Sequence, residues 1–168
     1  MAASSASRRP QVTHTVAISG IVAGGDGVGR LDDGIAVFVS RTAPGDQAEI
    51  EVTERKRRFA RARLVSLSTP SPSRVDPTCP HYERDRCGGC RLQHLSGEAQ
   101  REVKSRLVGD AMRRIGKRDV TDPPIVSSPN AWRYRSKITL AAAAGRIGLH
   151  REDAPGSPFD LEDCLLVS

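Results

Sequence analysis

Four to five short runs of alternating apolar residues occupy about the first 65 positions, with no helical pattern between them. A break rich in Pro and Ser follows at 68–78, and one amphipathic stretch begins after Ser96. Together these predict a mostly β chain with one main helix: a small closed barrel of the OB type, a Cys-rich segment, the helix, and a second β-rich part.

Residues 1–12 are small, polar and basic without periodicity, which predicts a disordered tail. Val12, Val16, Ile18 and Val22 fall on one face of a period-two pattern that Gly24-Gly25-Asp26-Gly27 ends. Residues 35–39 make a second, largely buried strand, closed by Ala43-Pro44-Gly45-Asp46. Ala48, Ile50 and Val52 then alternate with Glu49, Glu51 and Thr53, and Ala60, Ala62 and Leu64 alternate with Arg61, Arg63 and Val65. Ser96 is placed to cap a helix running to about Ile115, with Ala99, Val103, Leu107, Ala111 and Ile115 along one face and Gly116 as its stop. A Pro-containing loop at 121–130 leads into a hairpin expected over Trp132–Ala143 and Gly145–Arg151, and Leu165-Leu166-Val167-Ser168 reads as an apolar segment cut rather than finished.

Of 168 residues, 38% are apolar and only 4% aromatic, so the core must be built mainly from Val, Ile, Leu and Ala. No apolar run approaches the roughly 18–20 residues of a membrane span, and no apolar signal region follows Met1. Lys plus Arg outnumber Asp plus Glu by 26 to 20, a net charge of +6 that favours a polyanionic partner.

Three motifs carry the functional argument. Gly25-x-Gly27-x-Gly29 is followed by a strand rather than a helix, so it reads as turn or bulge glycines and not as a phosphate loop. Arg55, Lys56, Arg57, Arg58, Arg61 and Arg63 place six cations in nine residues around Phe59. Such a cluster neutralises phosphates while the ring stacks on a base; the bland alternative is a solvated basic hairpin. Cys79-x7-Cys87-Gly88-Gly89-Cys90, with Cys164 far downstream, presents thiolates at metal-ligand spacing. Gly88-Gly89 lets the backbone turn and offer N–H groups to sulfur. Zinc is the main alternative to an iron–sulfur cluster because His81 and His94 lie in the same segment, although Cys164 completes an all-thiolate set without them.

The run Cys79-Pro80-His81-Tyr82, Cys87-Gly88-Gly89-Cys90-Arg91-Leu92-Gln93-His94-Leu95, Gln100 and Lys104 resembles the iron–sulfur segment of the RNA uracil-5-methyltransferases, whose best-known bacterial members act on 23S ribosomal RNA. Upstream, Gly27-Val28-Gly29-Arg30, Val37-Phe38-Val39, Pro44-Gly45-Asp46 and Glu51-Val52 resemble that family's N-terminal TRAM domain, an OB-like RNA-binding barrel. Downstream, Ser128-Pro129, Trp132-Arg133-Tyr134-Arg135-Ser136-Lys137-Ile138 and Gly148-Leu149-His150-Arg151 resemble the start of its central domain.

The resemblance implies a tail at 1–12, a TRAM barrel at 13–70, a linker at 71–78, an iron–sulfur segment and helix at 79–118, and a truncated central RNA-binding domain at 119–168. It implies that Cys79, Cys87, Cys90 and Cys164 ligate a [4Fe–4S] cluster that supports folding and RNA binding. The gap after Cys79 is longer than the family's, and the extra residues within Glu83–Arg86 are expected to bulge as a polar loop. Arg133, Tyr134, Arg135 and Lys137 become candidate RNA contacts, with a plain amphipathic strand as the alternative. In the family a cysteine attacks C6 of the uracil and S-adenosylmethionine supplies the methyl group to C5. Its methyl-donor domain lies C-terminal to the central domain, and no Gly-rich cofactor turn appears here. The expectation is an RNA-binding chain, ribosomal RNA being the partner, inactive alone, cytoplasmic, monomeric and without membrane contact. The competing reading is a stand-alone RNA-binding module with a structural iron–sulfur or zinc site.

Overall fold

The computed structural model describes residues 13–168, so the tail expected at 1–12, and Val12 with it, lie outside the described residues. It forms two compact units, dividing after Pro72.

The first unit is a curled six-stranded sheet, a half-barrel in the order β1-β5-β6-β4-β3-β2. Its strands are β1 (Thr13–Ala17), β2 (Gly20–Ile21), β3 (Gly27–Arg30), β4 (Ala36–Val39), β5 (Gln47–Arg55) and β6 (Phe59–Thr69). All neighbours are antiparallel except β4 and β6, which run parallel. Period-two alternation puts Val16, Ile18, Val37, Val39, Ala48, Ile50, Ala60 and Ala62 inside, with Leu31 joining them. Three register shifts in the β5–β6 ladder mark bulges, the usual device for bending a strand. Residues 35–39 are not buried throughout: Val37 and Val39 face the core while Phe38 turns outward. β6 also extends to Thr69, two residues into the break expected at 68–78, because Thr69 pairs with Gln47.

The curl requires two positions without side chains. A Cβ on Gly29 would stand 2.3 Å from Val16 Cγ1 and 2.7 Å from the Ala17 carbonyl oxygen, and one on Gly27 would stand 2.0 Å from Thr42 Oγ1. The glycine motif serves the fold in two ways: Gly25 takes positive φ in the turn, as expected, while Gly27 and Gly29 sit in β3 with no room for a side chain. Buried Asp46 fixes the Pro44-Gly45-Asp46 turn by accepting from Ala43 N at 2.6 Å and Ser71 N at 2.8 Å.

The second unit opens with α1 (Pro80–Arg84), continues with α2 (Gly97–Arg114), and carries a small sheet of β7 (Ala141–Ala143), β8 (Arg146–His150) and β9 (Pro158–Asp160). Ser96 caps α2 as expected, its hydroxyl accepting from Ala99 N at 3.2 Å. The expected apolar face is only half covered: Val103 is buried, whereas Ala111 and Ile115 are exposed. The returning chain lies against the polar side instead, where Arg113 donates to Val120 O and Asp122. The helix ends at Arg114, and Lys117 rather than Gly116 takes the positive φ beyond it.

The hairpin is shorter than expected. Ala144 and Gly145, both at positive φ, turn β7 into β8, the geometry of a tight two-residue hairpin. Residues 133–135 do not extend it, because their backbone bonds go to the C-terminal segment: Arg133 N to Leu165 O, Arg135 N to Leu166 O, and Ser168 N to Arg135 O. Leu165–Ser168, the apolar segment at the end of the sequence, is thus paired. Among the described residues no helix is long and apolar enough to cross a membrane.

Gly29→Ala is expected to destabilise the first unit by roughly 1–3 kcal/mol through overpacking. Thermal unfolding of the two proteins side by side checks this, an unchanged midpoint being the contrary result.

Candidate cysteine centre and nucleic-acid interface

Cys79 precedes α1, Cys87 and Cys90 follow it, and Cys164 comes from the segment after β9. Of the loop expected within Glu83–Arg86, Glu83 and Arg84 belong to α1, while Asp85 and Arg86, the latter at positive φ, bend the chain toward Cys87. Pro80 at the first turn of α1 suits a helix start, and Cys87 N and Asp85 N both donate to His81 O. Cys87-Gly88 is then tied to the end of β8: Gly88 N donates to His150 O, and Glu152 N to Arg86 O.

All four cysteines line one cavity of about 410 Å³, with Trp132, Leu149, Leu161 and Leu166 among its walls. No disulfide joins them. Gly89 N donates to Cys87 Sγ at 3.4 Å, and Cys79 N donates to Gln93 Oε1 at 3.2 Å. Burial pushes the Cys90 thiol up; a hydrogen bond with Gln93 opposes this, while Cys87, Cys164 and Cys79 stand near enough to push it further up. Among the described residues, no three His, Cys, Asp or Glu side chains converge tightly enough to hold a metal ion as they stand.

The two histidines are occupied elsewhere. His94 Nδ1 shares a 2.7 Å hydrogen bond with Tyr82 Oη, both residues being buried, and His94 is not among the cavity walls. His81 does reach the cavity, but its Nδ1 lies 2.7 Å from Asp85 Oδ2 and its ring packs 5.1 Å from that of Phe159. Asp85 is a hub that no sequence pattern marked. Burial works to raise its pKa, but hydrogen bonds from His81 and Arg84 outweigh that and hold it below the usual carboxylate range. Arg84 reaches on to Glu162 at 2.9 Å, and Arg151 donates to the Asp85 carbonyl at 2.8 Å.

Around the cavity, Arg135 and Lys137 form part of the wall, and the Arg135 guanidinium lies 5.7 Å over the half-exposed ring of Tyr134. Arg133 points elsewhere, to Asp163 and to the carbonyls of Cys164 and Val167.

On the first unit, Arg55, Lys56, Arg57, Arg58, Phe59, Arg61 and Arg63 all come together on the β5–β6 hairpin, which Lys56 N closes by donating to Phe59 O. Four of its six cations already have acids: Arg55 pairs with Asp33, Lys56 with Glu54, Arg61 with Asp26 and Glu54, and Arg63 with Glu51. Arg57 and Arg58, exposed at the tip, have no such pair among the described residues. Phe59 stacks against Phe38 at 5.9 Å, so the outward face of β4 supplies a second ring that the sequence reading left in the core strand. Its signal was the alternation itself, since Val37 and Val39 cannot share a face with Phe38.

A family model for the TRAM domain matches residues 12–65. The first unit is a TRAM domain. Outside it the likeness continues. The 23S rRNA (uracil(1939)-C(5))-methyltransferase RlmD of Shewanella halifaxensis is 39% identical over 81% of this chain, and an RNA methyltransferase of Bacillus cereus is 37% identical over 84%. The solved tRNA (uracil-54, C5)-methyltransferase of Pyrococcus abyssi, in complex with S-adenosyl-L-homocysteine, is 28% identical and covers 90% of this chain and 32% of its own, with a TM-score of 0.59. The relatives of this TRAM-bearing chain are thus RNA methyltransferases, those of Shewanella and Pyrococcus being uracil-C5 enzymes, and it spans about a third (31%) of the length of the curated relatives it matches.

Tyr82→Phe should remove the buried hydrogen bond shared with His94 Nδ1 and cost about 1–3 kcal/mol. Chemical denaturation reads this directly, and a midpoint equal to that of the parent contradicts it.

Proposed function

We propose that this chain is the RNA-holding and cluster-holding part of an S-adenosylmethionine-dependent RNA uracil-5-methyltransferase acting on ribosomal RNA in the cytoplasm. The chemistry of methyl transfer belongs to the portion of the relatives that this chain does not match. The observation that carries this reading is the convergence of Cys79, Cys87, Cys90 and Cys164 on one cavity, in a chain whose other unit is a TRAM domain.

The donor set suits a [4Fe–4S] cluster: four thiols, a backbone N–H aimed at one sulfur, and apolar walls. Zinc also takes four thiolates, so the metal content of the protein decides between the two. With His94 held by Tyr82, the zinc alternative loses one of its two histidines. When bound, the cluster would supply a covalent tie between the Cys79–Cys90 segment and Cys164.

On the TRAM domain, Arg57 and Arg58 neutralise phosphates without first surrendering an ion pair. Phe59 and Phe38 offer ring surface beside them for an unstacked base. Arg55, Lys56, Arg61 and Arg63 extend the basic field while held by their acids, pairs worth only about 0–1 kcal/mol each and so exchangeable for phosphate. Tyr134, with Arg135 over it and Lys137 nearby, forms the corresponding surface on the second unit.

Protein purified without oxygen should hold about four irons per chain and absorb broadly near roughly 400 nm, and Cys→Ala at any of the four positions should lower the iron content. One tightly bound zinc without iron overturns the cluster. The double variant Arg57→Glu, Arg58→Glu should weaken binding of a ribosomal RNA fragment and reduce the slope of log K against log salt by about two. An unchanged slope returns the hairpin to a merely solvated role.

A further inference from the structure

The second unit carries an arginine whose bonds all converge on the segment that delivers Cys164. Arg133 makes a two-nitrogen pair with the carboxylate of Asp163, the residue before Cys164. Its Nη1 also donates to the carbonyls of Cys164 at 3.4 Å and Val167 at 2.9 Å, and its backbone N donates to Leu165 O at 2.7 Å. One residue thus binds four of the five consecutive positions from Asp163 to Val167. Arg133 holds a φ of +55°, which non-glycine residues rarely adopt, and such a conformation persists where surrounding bonds over-determine it. The hydrogen bond to Asp163 raises the Arg133 pKa and lowers that of Asp163.

We propose that Arg133 is the positioning residue for the fourth cluster ligand, a role distinct from RNA contact; the inference rests on the cluster reading above. A half-exposed Arg–Asp pair alone contributes little to stability. The two carbonyls make the difference. With the guanidinium fork bonded to the turn after Cys164, the backbone on both sides of that cysteine is fixed where it lines the cavity. Lysine cannot replace it, because an ammonium lacks the planar fork that spans a carboxylate and two carbonyls together. Arg84 grips Glu162 on the other side of Asp163 and limits the same segment from α1.

The test compares the full chain with Arg133→Ala and Arg133→Lys, each loaded with iron and sulfide without oxygen, by the rate at which a chelator removes iron. Both variants should lose iron roughly 10–100-fold faster than the parent, the usual scale for removing a residue that orients a metal ligand. Affinity for a ribosomal RNA fragment should be unchanged while the cluster is intact. Equal rates of iron loss overturn the proposal and leave the cluster reading standing. A parent that takes up no iron overturns the cluster reading. Alkylation of Cys164 in the metal-free chain then decides Arg133: Arg133→Ala should react several-fold faster there with Cys87 unchanged, and equal rates overturn the role. Should Arg133→Ala fail to fold, Asp163→Asn tests the same clamp through the same two rates.

Discussion

Cys164 comes 74 positions after Cys90 in the chain, and bringing it back to the other three cysteines is the closure on which the second unit depends. Closing a loop of that size costs about 4 kcal/mol of chain entropy. The apolar burial available for this is thin: among the described residues from Ser73 onward the buried apolar side chains are Tyr82, Leu95, Val103, Pro158 and Phe159, against nine in the core cluster of the TRAM domain. What holds the closure instead is polar. Asp85 gathers His81, Arg84 and Arg151, Arg84 and Arg133 grip successive acids before Cys164, and the chain after Cys164 pairs with residues 133–135. Units with so small a core are commonly stabilised by a disulfide or a metal, and the four thiols occupy the place where such a tie would act.

The TRAM domain obeys the opposite economy. Its side chains alternate cleanly, its core is continuous, and the approach of β3 to β1 leaves room for hydrogen alone at Gly29. That density makes the β5–β6 hairpin a rigid support. The acids along it do not abolish its charge; they fix most of the cations to the sheet and leave the tip residues Arg57 and Arg58 to solvent. Under the proposed function, a polyanion would meet free charge first and paired charge second.

What was legible in the sequence follows the same division. Strands of the TRAM domain were readable because burial on one face writes itself as period two, and α2 because Ser96 caps it and apolar residues recur at helical spacing. The four cysteines were legible as a group since thiols at such spacing have few other uses. Elements made by long-range bonds left no local trace. Residues 133–135 looked like the arm of a hairpin, yet their partners lie some thirty positions on, at Leu165 and Leu166. α1 is five residues long, too short for any period to show. Arg133 looked like one more cation in a basic run, and only the positions of Asp163, Cys164 and Val167 separate it from Arg135 and Lys137.

That separation links the two kinds of chemistry in the second unit. Arg133 turns to the cysteine segment, while the next residue, Tyr134, leaves half its surface to solvent with Arg135 across its ring. The backbone of all three is hydrogen-bonded to the chain that follows Cys164. Anchoring Cys164 therefore anchors the segment that carries Tyr134 and Arg135. Under the proposed function, a cluster in this cavity would support RNA binding without touching RNA, by fixing the backbone that carries the exposed Tyr134 ring and, at the cavity wall, Arg135. Tyr134 is not itself among the cavity walls and meets them through Arg135, whose guanidinium lies over its ring, so under the proposed function the RNA-facing ring and the cavity share that one arginine.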